Sequence, residues 1–98
     1  MWIGWIEFDL LLGDVHSLKA KRSVVRPLVA ELRRRFPVSA AEAGHADLHR
    51  RALVGAGLVA GERARVVEVL DELERFVAAR PELELLSARR GLRRSDED

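Results

Sequence analysis

The 98-residue chain contains no cysteine. Disulfide bonds, thiolate zinc sites and cysteine nucleophiles are therefore excluded, and nothing marks an oxidising compartment. The apolar runs are short, and none approaches the roughly 20 residues that a bilayer-spanning helix needs. A secretory leader is not indicated, because Glu7 and Asp9 interrupt the segment where the apolar region of a signal would run. We expect a soluble, cytoplasmic protein without a membrane partner.

The common motifs of nucleotide binding and covalent catalysis are also missing. The glycines do not form GxGxxG or GxxxxGK, so no phosphate cradle is indicated. No serine stands in a recognisable nucleophile elbow. We therefore expect no cofactor, no catalytic residue and no enzymatic activity.

Charge is present in quantity but is distributed unevenly. The whole chain has a net charge of +1. Residues 13–51 contain nine basic and four acidic residues, a net charge of +5, whereas the segments before and after each have a net charge of −2. A local positive field of this kind attracts phosphate or acidic partners even when the whole chain is nearly neutral.

Hydrophobic periodicity predicts six secondary-structure elements. They are a strand over residues 2–12, a helix over 18–36 with Ser17 as its N-cap, strands over 38–44 and 52–61, a helix over 62–80, and a strand that opens at 82–86. The alternation of the last strand changes phase at Leu85 and Leu86, which predicts a β-bulge there.

The order β α β β α β favours the ferredoxin-like α+β fold, a four-stranded antiparallel sheet with both helices on one face. We expect one such domain over residues 1–92 and a charged C-terminal tail over 93–98. The other sheet face is then left bare. The phases of the first and third strands place on it an apolar group with a few acids: Ile3, Trp5, Leu11, Leu53 and Val59, beside Glu7 and Asp9. Because this patch is larger than a monomer usually exposes, we predict a homodimer or higher oligomer that covers this face or pairs the sheet edges.

The first helix has a basic side. Lys19, Arg22 and Arg26 recur at intervals of three and four residues, which makes a continuous stripe on a helix. Further cations that we expect to extend the stripe are Lys21, Arg33, Arg34, Arg35, Arg50 and Arg51. Such a stripe binds phosphates by counterion release without reading bases. The alternative is an ordinary solvated helix face.

The stretch GHADLHRR holds His45 and His49 four residues apart, with Asp47 between them. A zinc site would need further ligands, and the adjacent glutamate of HExxH is absent. We therefore predict no metal site. In place of a metal site we expect a polar turn, in which Asp47 caps a short helical piece and Leu48 fills the edge of the core.

The predicted fold invites comparison with RNA-recognition motifs, which stack bases on aromatic residues of the central strands. The third strand, RALVGAGLVA, has no aromatic residue, and Glu7 and Asp9 on the first strand repel phosphate. Any nucleic acid should therefore meet the first helix and the loops rather than the sheet.

Nearly the whole chain resembles the YlxP-like family, small bacterial proteins described as a domain of unknown function. The most specific segments are SLKAKR at 17–22, RRRFPVSAAE at 33–42 and GHADLHRRA at 44–52. The resemblance implies a ferredoxin-like fold. Because the family is often encoded near translation and ribosome-maturation factors, it also hints at RNA. No catalytic residues are established for the family, so it implies none here.

These observations leave three functional hypotheses. The first is a non-enzymatic module whose basic helix docks onto structured RNA or a ribosomal subunit. The second is a protein-interaction module that self-associates through the open sheet face, with the basic stripe incidental. The third, which we weigh least, is a metal-dependent or phosphate-directed enzyme that uses His45, Asp47 and His49.

Overall fold

A computed structural model describes residues 1–97 and contains one four-stranded antiparallel sheet and two helices. The elements are β1 (Trp2–Leu12), α1 (Leu18–Arg35), β2 (Ser39–Gly44), β3 (Arg51–Ala60), α2 (Arg63–Ala78) and β4 (Leu83–Arg94). This order confirms the predicted ferredoxin-like α+β fold. The strand order in the sheet is β2-β3-β1-β4, so β1 and β3 are central and β2 and β4 are the edges.

Both helices cover the same face of the sheet. Helix α1 packs mainly against β2, and α2 packs mainly against β1, β4 and β3. Alternate residues of β1 point toward them, and Ile6, Phe8 and Leu10 are fully buried there. Burying each such side chain stabilises the fold by about 1.5–3 kcal/mol. Gly4 brings α2 still closer, since a Cβ at this position would lie 2.2 Å from Cγ1 of Val66.

Helix α1 begins and ends as its sequence indicates. The hydroxyl of Ser17 accepts a hydrogen bond of 3.0 Å from the backbone N–H of Ala20, which confirms the predicted N-cap. At the other end, the N–H of Phe36 donates to the carbonyl of Leu32, and Pro37 follows. The helix lies across β2 and therefore presents its outer side near one edge of the sheet.

The predicted β-bulge in β4 is confirmed. Leu10 pairs with Leu85 and Asp9 pairs with Ser87, so Leu86 is the extra residue. Beyond it, β4 continues along β1 as far as Arg94, which pairs with Trp2. The first two residues of the predicted tail thus belong to the strand. The tail's last residue, Asp98, lies outside the described residues, and the division into one domain and a tail stays a prediction.

The open face of the sheet has an apolar half and a charged half. Near the start of β1, Ile3 and Trp5 lie beside Val59 of β3. Trp5 also lies over Gly91 of β4, where a Cβ would come within 2.0 Å of the indole. Arg93 of β4 lies opposite Ile3 at the margin of this half, and further along β1 the same face carries Glu7 and Asp9, followed by Leu11.

Candidate functional site

Three cations of α1 project into solvent from one side of the helix. Lys19, Arg22 and Arg26 are exposed, and within residues 1–97 they make no ion pair or side-chain hydrogen bond. They are spaced by three and four residues, so they share one side of the helix. We call these three residues the free stripe. The predicted clustering of Lys19, Arg22 and Arg26 is therefore present in the fold, with their charges available to a partner.

The cations at the end of α1 are exposed but partly engaged. Nε of Arg33 donates to the carbonyl of Ala40 on β2 at 2.9 Å. Arg34 and Arg35 lie 3.5 and 3.9 Å from Glu31, and the guanidinium of Arg35 also lies over the ring of Phe76. They add positive potential at this end of the helix. Unlike the free stripe, they already have contacts within the protein.

Lys21 does not belong to the exposed surface. Its side chain is buried, with the whole residue only 2% exposed, and Nζ donates to the carbonyl oxygen of His45 at 2.7 Å. Nζ also lies 2.9 Å from Oε1 of Glu42. This placement corrects the expectation that Lys21 extends the stripe. It instead joins α1 to the end of β2, because a buried ammonium requires hydrogen-bonding partners.

The two arginines after the histidine loop point to different places. Arg50 is exposed, and its Nε donates to the carbonyls of Leu12 and Gly13 at 3.3 and 3.1 Å. Arg51 begins β3 and faces the open side of the sheet. There its guanidinium donates hydrogen bonds of 2.6, 2.8 and 3.1 Å to the carboxylate of Asp9. Arg51 is thus paired on the sheet face opposite the helices, which corrects its assignment to the stripe.

Asp9 is the centre of a polar cluster on the open face. The hydrogen bonds from Arg51 lower the pKa of Asp9 below its ordinary value of 3.8, with a smaller contribution from His45 in the same direction. Nε2 of His45 lies 3.5 Å from Oδ1 of Asp9. The carboxylate therefore has a guanidinium and an imidazole on either side.

His45 follows β2 in an unusual backbone conformation. Its φ of 57° lies in the left-handed region, which is uncommon for residues other than glycine. Its carbonyl accepts hydrogen bonds from Lys21 and from the backbone N–H of Leu48, and these hold the turn in place. The segments SLKAKR and GHADLHRRA, which are distant in sequence, thus meet at one hydrogen bond.

A small pocket opens beside this cluster. It has a volume of about 210 Å³ and is lined by Glu7, Asp9, His45, Leu53, Ser87 and Arg89. Leu53 was predicted as part of an apolar interface, and it is half-buried at this charged end of the sheet. Leu53 is therefore separated from the other predicted interface residues, Ile3, Trp5 and Val59, which lie in the apolar half.

The rest of the histidine loop does not form a compact site. His49 and Asp47 are exposed, and within residues 1–97 no group of three or more His, Asp or Glu side chains is arranged to hold a metal ion. Leu48 is 47% exposed, so the expectation that it fills the edge of the core is wrong. The backbone N–H of Leu48 donates to the carbonyl of His45, which closes the turn, and the Leu48 side chain lies in solvent.

The apolar half of the open face exposes large side chains. Trp5 is 40% exposed and Val59 is 60% exposed, while Ile3 is half-buried. Glycines at positions 57 and 91 flank Trp5 on the neighbouring strands, so the indole stands above a low surface. The strand phases predicted that these side chains lie on the open face, and Trp5 and Val59 are exposed there.

The chain is thus a small ferredoxin-like α+β protein with a basic helix on one side and a partly apolar, partly charged sheet on the other. It belongs to the family described as "Protein of unknown function (DUF503)", whose model matches residues 3–90. It is also similar to the "Uncharacterized protein YlxP" of Bacillus subtilis (strain 168). The two are 30% identical over 82 residues, which cover 84% of this chain and 89% of that protein. The predicted family resemblance is confirmed.

Within residues 1–97 neither helix combines the length and apolar character needed to span a bilayer.

Proposed function

We propose that this protein is a non-enzymatic binding module of the cytoplasm that docks onto structured RNA, such as a ribosomal subunit, through α1. The observation that supports the proposal is the free stripe. Lys19, Arg22 and Arg26 are exposed together and have no carboxylate partner among residues 1–97. Cations that are already solvated and unpaired can contact phosphates without first breaking an ion pair.

The surroundings of the free stripe favour the same partner. A groove of about 360 Å³ between α1 and β2 is lined by Arg26 and Arg33, and its one carboxylate, that of Glu42, already pairs with Lys21. Arg34 and Arg50 are also exposed and add positive charge near the two ends of the helix. A phosphate backbone lying along α1 would therefore meet cations over the length of the helix.

The other helix has no comparable free stripe. The four acids of α2, Glu68, Asp71, Glu72 and Glu74, outnumber its three arginines, and Arg90 of β4 pairs with Asp71 and Glu74 at 2.9 and 3.2 Å. Helix α2 therefore offers a polyanion no basic surface. The proposed complex therefore has one orientation, with α1 facing the RNA and α2 facing away.

Salt-dependent RNA binding tests the proposal. A triple variant with Lys19→Glu, Arg22→Glu and Arg26→Glu is compared with the native protein on ribosomal RNA over a range of salt concentrations. Each phosphate contact contributes about −0.9 to the slope of log K against log salt, so the slope should shrink by about 2 to 3. A control of equal net charge reverses three exposed arginines of α2, Arg63, Arg65 and Arg75, of which Arg65 pairs with Glu68 and Arg63 lies over the ring of Trp2. Equal weakening in both variants would show that net charge, and not the position of the free stripe, determines binding. That result, or unchanged binding of the α1 variant, would reject the proposal.

A second candidate function is self-association through the apolar half of the open face. The exposure of Trp5 and Val59 favours it, because large apolar groups of neighbouring strands gain free energy when a partner removes them from water. Such a homodimer would use the sheet face opposite α1 and would leave the free stripe accessible. The two functions are therefore compatible in one molecule.

A further inference from the structure

Three irregularities of the backbone converge on the pocket of the open face. The register of β2 against β3 shifts at Ala43, and that of β4 against β1 shifts at Leu86. His45, two residues after the first bulge, has the left-handed φ of 57°. Bulges and left-handed residues re-aim side chains and occur preferentially near functional sites. Here they direct His45 and Ser87 toward the same cavity.

Two residues that line the pocket, Asp9 and His45, are held in place by hydrogen bonds. Arg51 holds Asp9 through both carboxylate oxygens, and the buried ammonium of Lys21 holds the carbonyl of His45. These hydrogen bonds position one wall of the pocket. They also leave Arg51 and Lys21 unavailable to a ligand. A divalent cation is disfavoured, because the guanidinium of Arg51 already stands where a metal would need Asp9.

The groups that remain free are of opposite charge. Glu7 and Arg89 are direct cross-strand partners on β1 and β4 and both line the pocket. Within residues 1–97 neither makes an ion pair or a side-chain hydrogen bond. The pocket therefore presents an available carboxylate and an available guanidinium, with Leu53 as an apolar wall.

We propose that this pocket binds a small zwitterion of the amino-acid class. The ligand's carboxylate would be held by Arg89, its ammonium by Glu7, and its carbon chain would lie against Leu53. A guanidinium recognises a carboxylate with charge-assisted hydrogen bonds, and an ammonium group is the matching donor for a carboxylate. A polyanion fits poorly, because Glu7 and Asp9 face it from the same strand. The site is on the sheet face opposite α1 and does not depend on the proposed RNA binding.

Two-dimensional NMR of the ¹⁵N-labelled protein provides the test. The probes are glycine, β-alanine and 4-aminobutyrate, which separate the two charges by increasing distances, with acetate and methylammonium as singly charged controls. We expect saturable shifts of the amides of Glu7, Ser87 and Arg89 with at least one zwitterion. Each singly charged control should bind about tenfold more weakly or not at all, since it lacks one charged contact.

Variants assign the binding to the pocket. Glu7→Gln and Arg89→Gln should each weaken the zwitterion about tenfold, because each removes one charge-assisted contact. Glu72→Gln and Arg65→Gln on α2 are the matched controls and should bind as the native protein does. Both pocket residues lie outside the core, and an unchanged spectrum in the absence of ligand will show that their variants are folded. Absence of saturable shifts with all three zwitterions would overturn the proposal, and so would equal affinity in the pocket variants and the controls.

Discussion

The ammonium of Lys21 on α1 lies 2.7 Å from the carbonyl oxygen of His45, 24 residues further along the chain. This hydrogen bond ties the helix to the end of β2 and fixes the residue with the left-handed backbone. Because His45 also contacts Asp9 on the open face, the bond links the two sides of the molecule. A series of contacts therefore runs from α1 through the buried Lys21 and His45 to Asp9 on the open face.

Replacing Lys21 should destabilise the protein strongly. Lys21→Met keeps the apolar stem but leaves the carbonyl of His45 without one of its donors and Glu42 without its cation. Loss of such a charged hydrogen bond costs about 2–3 kcal/mol of the free energy of unfolding. Urea unfolding followed by circular dichroism measures it. The exposed neighbour Lys19→Met is the control and should change stability by less than about 0.5 kcal/mol. Equal stability of the two variants would contradict the assignment of Lys21 as a structural residue.

The backbone of His45 should distinguish glycine from alanine. At a φ of 57° glycine is unstrained, whereas alanine retains the steric cost of its Cβ. We expect His45→Gly to be more stable than His45→Ala by about 1 kcal/mol in thermal or urea unfolding. At Glu72, in the middle of α2, the order should reverse, because glycine is disfavoured in a helix interior by about 1 kcal/mol. The same order at both positions would show that His45 is not held in the left-handed region.

The pair of Asp9 and Arg51 should make stability depend on pH at the acidic end. Since the pKa of Asp9 is lowered below 3.8 in the folded state, the folded protein favours the ionised carboxylate. The resulting stabilisation is complete above the unfolded pKa and is lost as the pH falls through the folded pKa.

Asp9→Asn removes this pH-dependent stabilisation. The native protein should be more stable than the variant at neutral pH by about 1 kcal/mol, a modest value because the pair is partly solvated. The difference should shrink as the pH falls below 3.8. Urea unfolding at several pH values gives the curve. The same series on Asp47→Asn, an exposed aspartate outside the cluster, controls for the loss of one acidic residue. A difference for Asp9→Asn that grows on acidification would have the wrong sign for a depressed pKa.

Self-association through the apolar half of the sheet predicts a monomeric Trp5 variant. Trp5→Glu places a charge at the centre of that surface and should shift the sedimentation velocity of the protein to that of a monomer. Leu48→Glu is a control, since Leu48 is comparably exposed but lies in the loop after β2. If the native protein and Trp5→Glu have the same mass over a wide concentration range, the sheet face is not an oligomer interface.

The architecture could be predicted because its signals are local. The alternation in β1 and β3 and the helical periodicity of α1 and α2 each identify an element and its buried side, and even the bulge near Leu86 leaves a phase change. The same periodicity contained the correct position of Lys21. It precedes Val25 by four residues and Leu28 by seven, so it belongs to the buried side of α1. Its charge does not oppose this position, because Glu42 and the carbonyl of His45 satisfy the buried ammonium.

The pocket was beyond prediction for a different reason. Arg51 has the phase of Leu53 in β3, so its position on the open face was available from alternation. The arrival of Ser87 and Arg89 opposite Asp9 and Glu7 depends on the register of β4 after its bulge, which pairs elements far apart in sequence. Neither the partner of Lys21 nor the backbone of His45 has a local signal of comparable strength.

Sedimentation of extracts from cells that produce the protein tests the central claim, that the free stripe docks the molecule onto RNA. The native protein and the α2 control variant should travel with ribosomal subunits at low salt and remain in the supernatant at high salt. The Lys19→Glu, Arg22→Glu, Arg26→Glu variant should remain in the supernatant at both. Native protein that never enters the ribosomal fractions, or a triple variant that enters them as fully as the native protein, would contradict the account.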